Sequence, residues 1–241
     1  EENWTQKPVD RRIFGNFIES GFGRQVNGMW SEMLYNRAFR DVPAIKIATW
    51  EWLGLDKEHY NSEAPFWHSG YEENDWQLIG APERSHTCGT HTHKGTTSLL
   101  LENRDGGECG LKQEGLHLKK GKKYRFRLFA GIRGDMSEAG LNGFGDTIHT
   151  EEEEKLTVKI GKQQTCFSLT SVPRLYEWEW EAREDEITDI RITFTFRGTL
   201  VLAFASLMPD DNLGGWRADV VEKLKEASPS VVRFPGGCFV T

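Results

Sequence analysis

The chain has 241 residues, 37% of them hydrophobic and 28% charged, with a formal net charge of −7. That length makes one large domain or two smaller ones. The acidic balance argues against nucleic acid or an anionic membrane surface as main partner, and no apolar run approaches the ~20 residues that span a bilayer.

Residues 1–12 are polar and read as a lead-in. Ile13-Phe-Gly-Asn-Phe-Ile-Glu19 is a compact apolar run, read as a buried strand with Glu19 at its carboxyl end. A glycine-rich loop, Ser20-Gly-Phe-Gly23, follows. Polar groups held at such strand ends are common ligand contacts in barrels. Over residues 27–39, Met29, Trp30, Met33 and Leu34 suit one face of a short helix.

From about Asp41 the pattern changes, with Trp50, Trp52, Phe66, Trp67, Tyr71 and Trp76 set among polar and turn residues. Strand-like runs follow at 96–101, 109–118, 124–130, 155–160, 176–181, 189–196 and 198–204, several alternating with period two. Turn signals separate them, among them Asn103-Arg-Asp-Gly-Gly107 and the basic turn around Gly121. Residues 131–145 hold five glycines and read as a long loop. Tyr176, Trp178 and Trp180 fall on one face of their run. Short alternating strands without helical pattern predict an antiparallel β-sandwich.

After 207–215 the period becomes helical. Val220, Val221, Leu224 and Ala227 form the apolar stripe of a helix over 216–227, which Ser228-Pro229 ends. Residues 230–234 then read as a buried strand, stopped by Pro235-Gly236-Gly237, with Cys238 in the loop beyond. A helix, a short loop and a buried strand make the second half of a β-α-β unit. Its first half is the strand 13–19, roughly 200 residues earlier. The predicted architecture is mostly β: a jelly-roll sandwich inserted into the first β-α-β unit of an incomplete (β/α)8 barrel. Its parts are 1–40 (first barrel strand and helix), 41–208 (sandwich) and 209–241 (barrel helix and second strand).

Three stretches carry a resemblance: Phe14-Gly-Asn-Phe-Ile-Glu19, Gly28-Met-Trp-Ser-Glu-Met-Leu-Tyr-Asn-Arg-Ala-Phe39, and Arg217-Ala-Asp-Val-Val-Glu-Lys-Leu-Lys-Glu226 leading to Val232-Arg-Phe-Pro-Gly-Gly-Cys-Phe239. Together they resemble the N-terminal part of glycoside hydrolase family 51, the α-L-arabinofuranosidases. The middle resembles the carbohydrate-binding-module type of jelly roll. The resemblance implies a retaining double displacement with one Glu as nucleophile and a second as acid/base, about 5–5.5 Å apart. In the family these follow the fourth and seventh barrel strands. No catalytic residue is therefore assigned to this chain, and both are expected beyond Thr241. Carried over, Glu19 hydrogen-bonds the sugar, and Arg233 and Cys238 line the same subsite. Glu32, Asn36 and Arg37 also match, and are read as structural support.

Trp178 and Trp180 are the candidate sugar platform of the sandwich. No metal site and no cofactor is assigned, although Glu102, Asn103, Glu114 and Asp146 supply oxygen atoms of the kind that hold a structural Ca²⁺. The cysteines at 88, 109, 166 and 238 fit no zinc spacing, and a disulfide among the first three is left open. The expected partners are plant cell-wall polysaccharide or oligosaccharide and the remainder of the barrel. No signal-peptide pattern opens the chain, and a secreted or periplasmic setting is favoured over a cytoplasmic one. Two alternatives stay open: a non-catalytic carbohydrate-binding sandwich, and part of a family 51 endoglucanase.

Overall fold

Period-two alternation is the physical basis of most of the fold. In the computed structural model, which describes residues 9–17, 29–39, 76–80, 84–88, 98–133 and 153–233, the first strands are β1 (Asn16–Phe17), β2 (Gln77–Ile79), β3 (Arg84–Cys88), β4 (Ser98–Asn103), β5 (Cys109–Leu118) and β6 (Lys123–Arg133). They are followed by β7 (Glu154–Ile160), β8 (Gln163–Leu169), β9 (Arg174–Glu181), β10 (Glu186–Phe194), β11 (Gly198–Pro209), the helix α1 (Ala218–Ala227) and β12 (Val232–Arg233). The expected runs at 109–118, 124–130, 155–160, 176–181, 189–196 and 198–204 all appear, most with shifted ends. β2, β3 and β8 were not singled out by sequence.

Ten strands form two five-stranded antiparallel sheets, in the orders β2-β5-β10-β7-β8 and β3-β4-β11-β6-β9. Their inward faces share one core. Tyr124, Phe126, Leu128 and Ala130 of β6 are buried, while Arg125 and Arg127 between them are exposed. Leu111, Leu156, Val158, Ile190 and Ile192 answer from the other sheet, all fully buried. A bulge between Leu202 and Phe204 in β11 switches the inward set from Leu200 and Leu202 to Ala205 and Leu207. Gly110, at φ 154°, pairs with Thr193; a Cβ there would stand 1.9 Å from the Ile192 carbonyl oxygen. The backbones approach too closely there for a side chain.

Residues 32–39 belong to the sandwich. Met33 N donates to Leu207 O at 2.9 Å and Ala205 N to Arg37 O at 2.9 Å, extending the pairing of β11. Gln113 of β5, 1% exposed, clamps Tyr35. It accepts from Tyr35 N at 2.8 Å and donates to Tyr35 O at 2.9 Å. Phe39 is fully buried against Trp76, ring centroids 5.1 Å apart. These bonds hold 31–39 extended and then turning, so the helix expected within 27–39 does not run through them.

The described residues fall into two compact units: 32–39, 76–80, 84–88, 98–133 and 153–210 in one, and 9–17, 29–31 and 211–233 in the other. In the second, β1 and β12 pair in parallel, Asn16 with Val232 and Phe17 with Arg233. Part of the run expected as a strand from 13 is a short 3-10 turn, Arg11–Phe14. The chain enters α1 from Trp216, whose ring meets Trp30 edge-on at 6.1 Å. Arg217 N donates to Met29 O at 2.9 Å. The apolar stripe Val220, Val221 and Leu224 is half-buried. Ser228, in the left-handed region at φ 47°, ends the helix by donating its N–H to Leu224 O and Lys225 O.

Candidate functional site

Strands β8 and β9 are the outermost members of their two sheets, so their inward side chains have a neighbouring strand on one side only. From β8 these are Gln163, Thr165 and Phe167, all half-buried; from β9 they are Tyr176, Trp178 and Trp180. The two edges meet at one end. Tyr176 stacks at an angle on Phe167, centroids 5.2 Å apart, and its hydroxyl donates to Ser168 O at 3.0 Å. Arg174 Nε donates to the same hydroxyl at 3.0 Å.

At the other end lies an open cavity of about 470 Å³ beside Trp180, bounded by Lys120, Gly121, Gln163, Glu181 and Arg183. Three turns build it and hydrogen bonds lock them together. Gly121 N donates to Ala182 O at 2.8 Å, Ala182 N to Lys122 O at 2.9 Å, and Lys120 N to Asp185 Oδ1 at 2.8 Å. Lys162, in the turn between β7 and β8, pairs with Glu184; that hydrogen bond holds the Lys162 pKa above its ordinary value. The Tyr124 hydroxyl accepts from Lys119 N at 2.8 Å.

The indoles are arranged for packing. Trp178 and Trp180 stack at 4.3 Å with planes 22° apart, and Tyr124 stacks on Trp180 at 5.7 Å. Both indoles pack against the core. A sugar stacks on an indole through a free ring face, and Trp180 has neighbours stacked on it from two residues. Its Nε1–H is buried without a hydrogen-bond partner. On the outward face of β9, Glu177 and Glu179 pair with Arg127 and Arg125, and these four side chains are half or more exposed or nearly so, at 45–62%.

Of the sequence-predicted site residues, Arg233 stands exposed in β12 at the register position of Phe17. Glu19 and Cys238 lie outside the described residues. Glu32 accepts from Ser206 Oγ at 2.7 Å, Leu207 N at 2.7 Å and Leu34 N at 3.1 Å, and pairs with Arg37 at 3.1 Å. Burial pushes its pKa up against those contacts. The oxygen atoms considered for calcium are engaged elsewhere. Glu102 pairs with Arg104, Glu114 with Lys112, and the Asn103 amide shapes the turn at Gly106 and Gly107. Asp146 lies outside the described residues, among which no cluster of three His, Cys, Asp or Glu could hold a metal. Cys109 and Cys166 are free thiols. Sequence reasoning missed Gln163, Lys120 and Arg183 as cavity residues. The only signal was three turns at 119–122, 161–162 and 182–185, which do not by themselves say that they meet.

No family model matches the chain. It is 23% identical, over an alignment of 255 positions, to α-L-arabinofuranosidase 1 of Arabidopsis thaliana, covering 99% of this chain and 33% of that protein. To the extracellular exo-α-L-arabinofuranosidase of Streptomyces chartreusis it is 22% identical, covering 96% of this chain and 24% of that one. Among solved structures, the CBM22-1 xylan-binding domain of Paenibacillus barcinonensis Xyn10C aligns with TM-score 0.41 and 11% identity, over 57% of this chain and 87% of that domain. Along nearly its whole length, then, the chain is similar to curated α-L-arabinofuranosidases, and it spans about a third of the length of the first of them.

Proposed function

We propose that this chain is the N-terminal part of a retaining α-L-arabinofuranosidase that releases arabinofuranosyl side chains from plant polysaccharides. The observation that carries this reading is the similarity to arabinofuranosidases across 99% of the chain. The parallel pairing of β1 with β12 supports the barrel half of it. Two strands roughly 200 residues apart lie side by side, the sandwich falls between them in sequence, and α1 leads into the second. That is the connectivity of a β-α-β unit with an insertion. Exposed Ile13, Phe14, Val231 and Val232 in the same unit, at 45–66%, are the surface that further barrel elements would cover.

In this reading the nucleophile and acid/base carboxylates come from the remainder of a longer protein, and Glu19, Arg233 and Cys238 hold the sugar in the cleaved subsite. The inserted sandwich presents the cavity beside Trp180, which favours a glycan-contacting role for it. The test is turnover of 4-nitrophenyl α-L-arabinofuranoside by the full-length product of the parent reading frame, with product configuration followed by NMR. Expected are hydrolysis with retention and none by the 241-residue chain alone. Inversion, no activity in the full-length protein, or turnover by the chain alone contradicts the reading.

A further inference from the structure

The cavity beside Trp180 has a charge pattern that its packing does not use. Lys120 and Arg183 both line it, and among the described residues neither side chain has a carboxylate paired with it. Lys162, next to the lining residue Gln163, behaves differently and pairs with Glu184. The walls are fixed before any ligand arrives, because the three turns are tied by the backbone bonds of Gly121 and Ala182 and by the Asp185 cap on Lys120 N. A volume of about 470 Å³ lies within the range of small-ligand sites.

We propose that this cavity binds a sugar ring carrying a carboxylate, that is, a uronic acid residue on an oligosaccharide. Lys120 and Arg183 meet the carboxylate, Gln163 and Glu181 meet ring hydroxyls, and the Trp180 indole forms the apolar wall. The guanidinium fork matches a carboxylate in two parallel hydrogen bonds, and a lysine adds a second charge. A neutral sugar is the poorer fit. It would rely on stacking over a free indole face, and Trp178 and Tyr124 already stack on Trp180. The proposal rests on the arabinofuranosidase reading only for the ligand being a glycan.

The experiment is calorimetric titration of the full 241-residue chain with a xylo-oligosaccharide bearing one glucuronic acid, and with the same oligosaccharide after its carboxyl is reduced to an alcohol. The acidic form is expected to bind at least roughly tenfold more tightly at low salt, as charge-assisted hydrogen bonds exceed neutral ones. The gap should narrow on raising salt to about 0.5 M, because both cations are exposed. Lys120→Gln with Arg183→Gln should abolish the preference. Arg183→Lys, which keeps the charge but loses the fork, should keep part of it, and melting curves check that each variant is folded. Equal binding of the two ligands, no binding of the acidic one, or a preference unchanged in the double variant overturns the proposal. Arabinofuranoside turnover by the full-length protein is a separate readout, so either reading can fail alone.

Discussion

Glu32 offers the sharpest test of how residues 32–39 are held to the sandwich. Its carboxylate is 5% exposed and takes hydrogen bonds from Ser206 Oγ, Leu207 N and Leu34 N, with Arg37 at 3.1 Å. Glu32→Ala strands three donors. At about 1–3 kcal/mol per buried unsatisfied donor, with relaxation and water entry reducing the sum, the loss is about 3–5 kcal/mol. The Arg37 pair adds little, since that guanidinium is 44% exposed. Glu32→Gln keeps one acceptor oxygen and should cost about 1–2 kcal/mol. The pH dependence has a definite sign. Burial raises the folded-state pKa above the ordinary 4.5, so the folded state binds this proton more tightly than the unfolded chain. The contribution of Glu32 is therefore most favourable below pH 4.5 and declines as pH rises through the folded pKa. Wild type should exceed Glu32→Gln in stability by more at pH 4 than at pH 7. Urea unfolding monitored by tryptophan fluorescence at both pH values, with hydrogen exchange at Leu207, measures this. A loss under about 0.5 kcal/mol for Glu32→Ala, the level of an ordinary surface change, or a gap that widens with pH, refutes the reasoning.

Gln113→Ala removes both bonds that clamp the Tyr35 backbone and should cost about 2 kcal/mol by urea titration; an unchanged midpoint counts against the clamp. Phe126→Ala empties a fully buried site in the shared core and should cost about 3–5 kcal/mol, read from the same titration. Amides of 124–130, in the interior strand β6, should exchange more slowly than those of 232–233, in the short exposed β12; the reverse order is inconsistent with the sandwich as the stable part. Cys109 is buried and its thiol is pushed up to about 11, by burial first and then by Asp105 and Glu108, whereas Cys166 is exposed. Iodoacetamide at pH 8 should label Cys166 in the native protein and Cys109 only after unfolding, as peptide mass mapping would show; comparable labelling rates contradict it.

The alternation Tyr124-Arg-Phe-Arg-Leu-Phe-Ala130 determines by itself that β6 is a strand with one buried face, because the pleat sends successive side chains to opposite sides. The same holds for β7, β9 and β10, and the helical period at Val220, Val221 and Leu224 marks α1. Short apolar runs at the two ends of the chain were also enough to predict a strand pair with a sandwich between them in sequence, and β1 and β12 do pair in parallel, but over two residues each, and Ile13, Phe14, Val231 and Val232, read as parts of buried strands, are exposed. Tertiary structure decided the rest. Residues 27–39 carry a helix-like spacing, yet pairing with β11 and the Gln113 clamp hold the chain extended and then turning, since the backbone groups of Met33, Tyr35 and Arg37 bond to partners 78 or more positions away. β8 escaped notice because an outermost strand with half-buried Gln163, Thr165 and Phe167 shows weak contrast between its faces. Trp178 and Trp180 were legible as a pair on one face. That Tyr124 also stacks on Trp180 depends on the register of β6 with β9, and that Lys120 and Arg183 share its cavity depends on distant turns meeting. Periodicity is a local property of the chain, whereas the covering of a ring and the pairing of a charge are set by neighbours that only folding brings together.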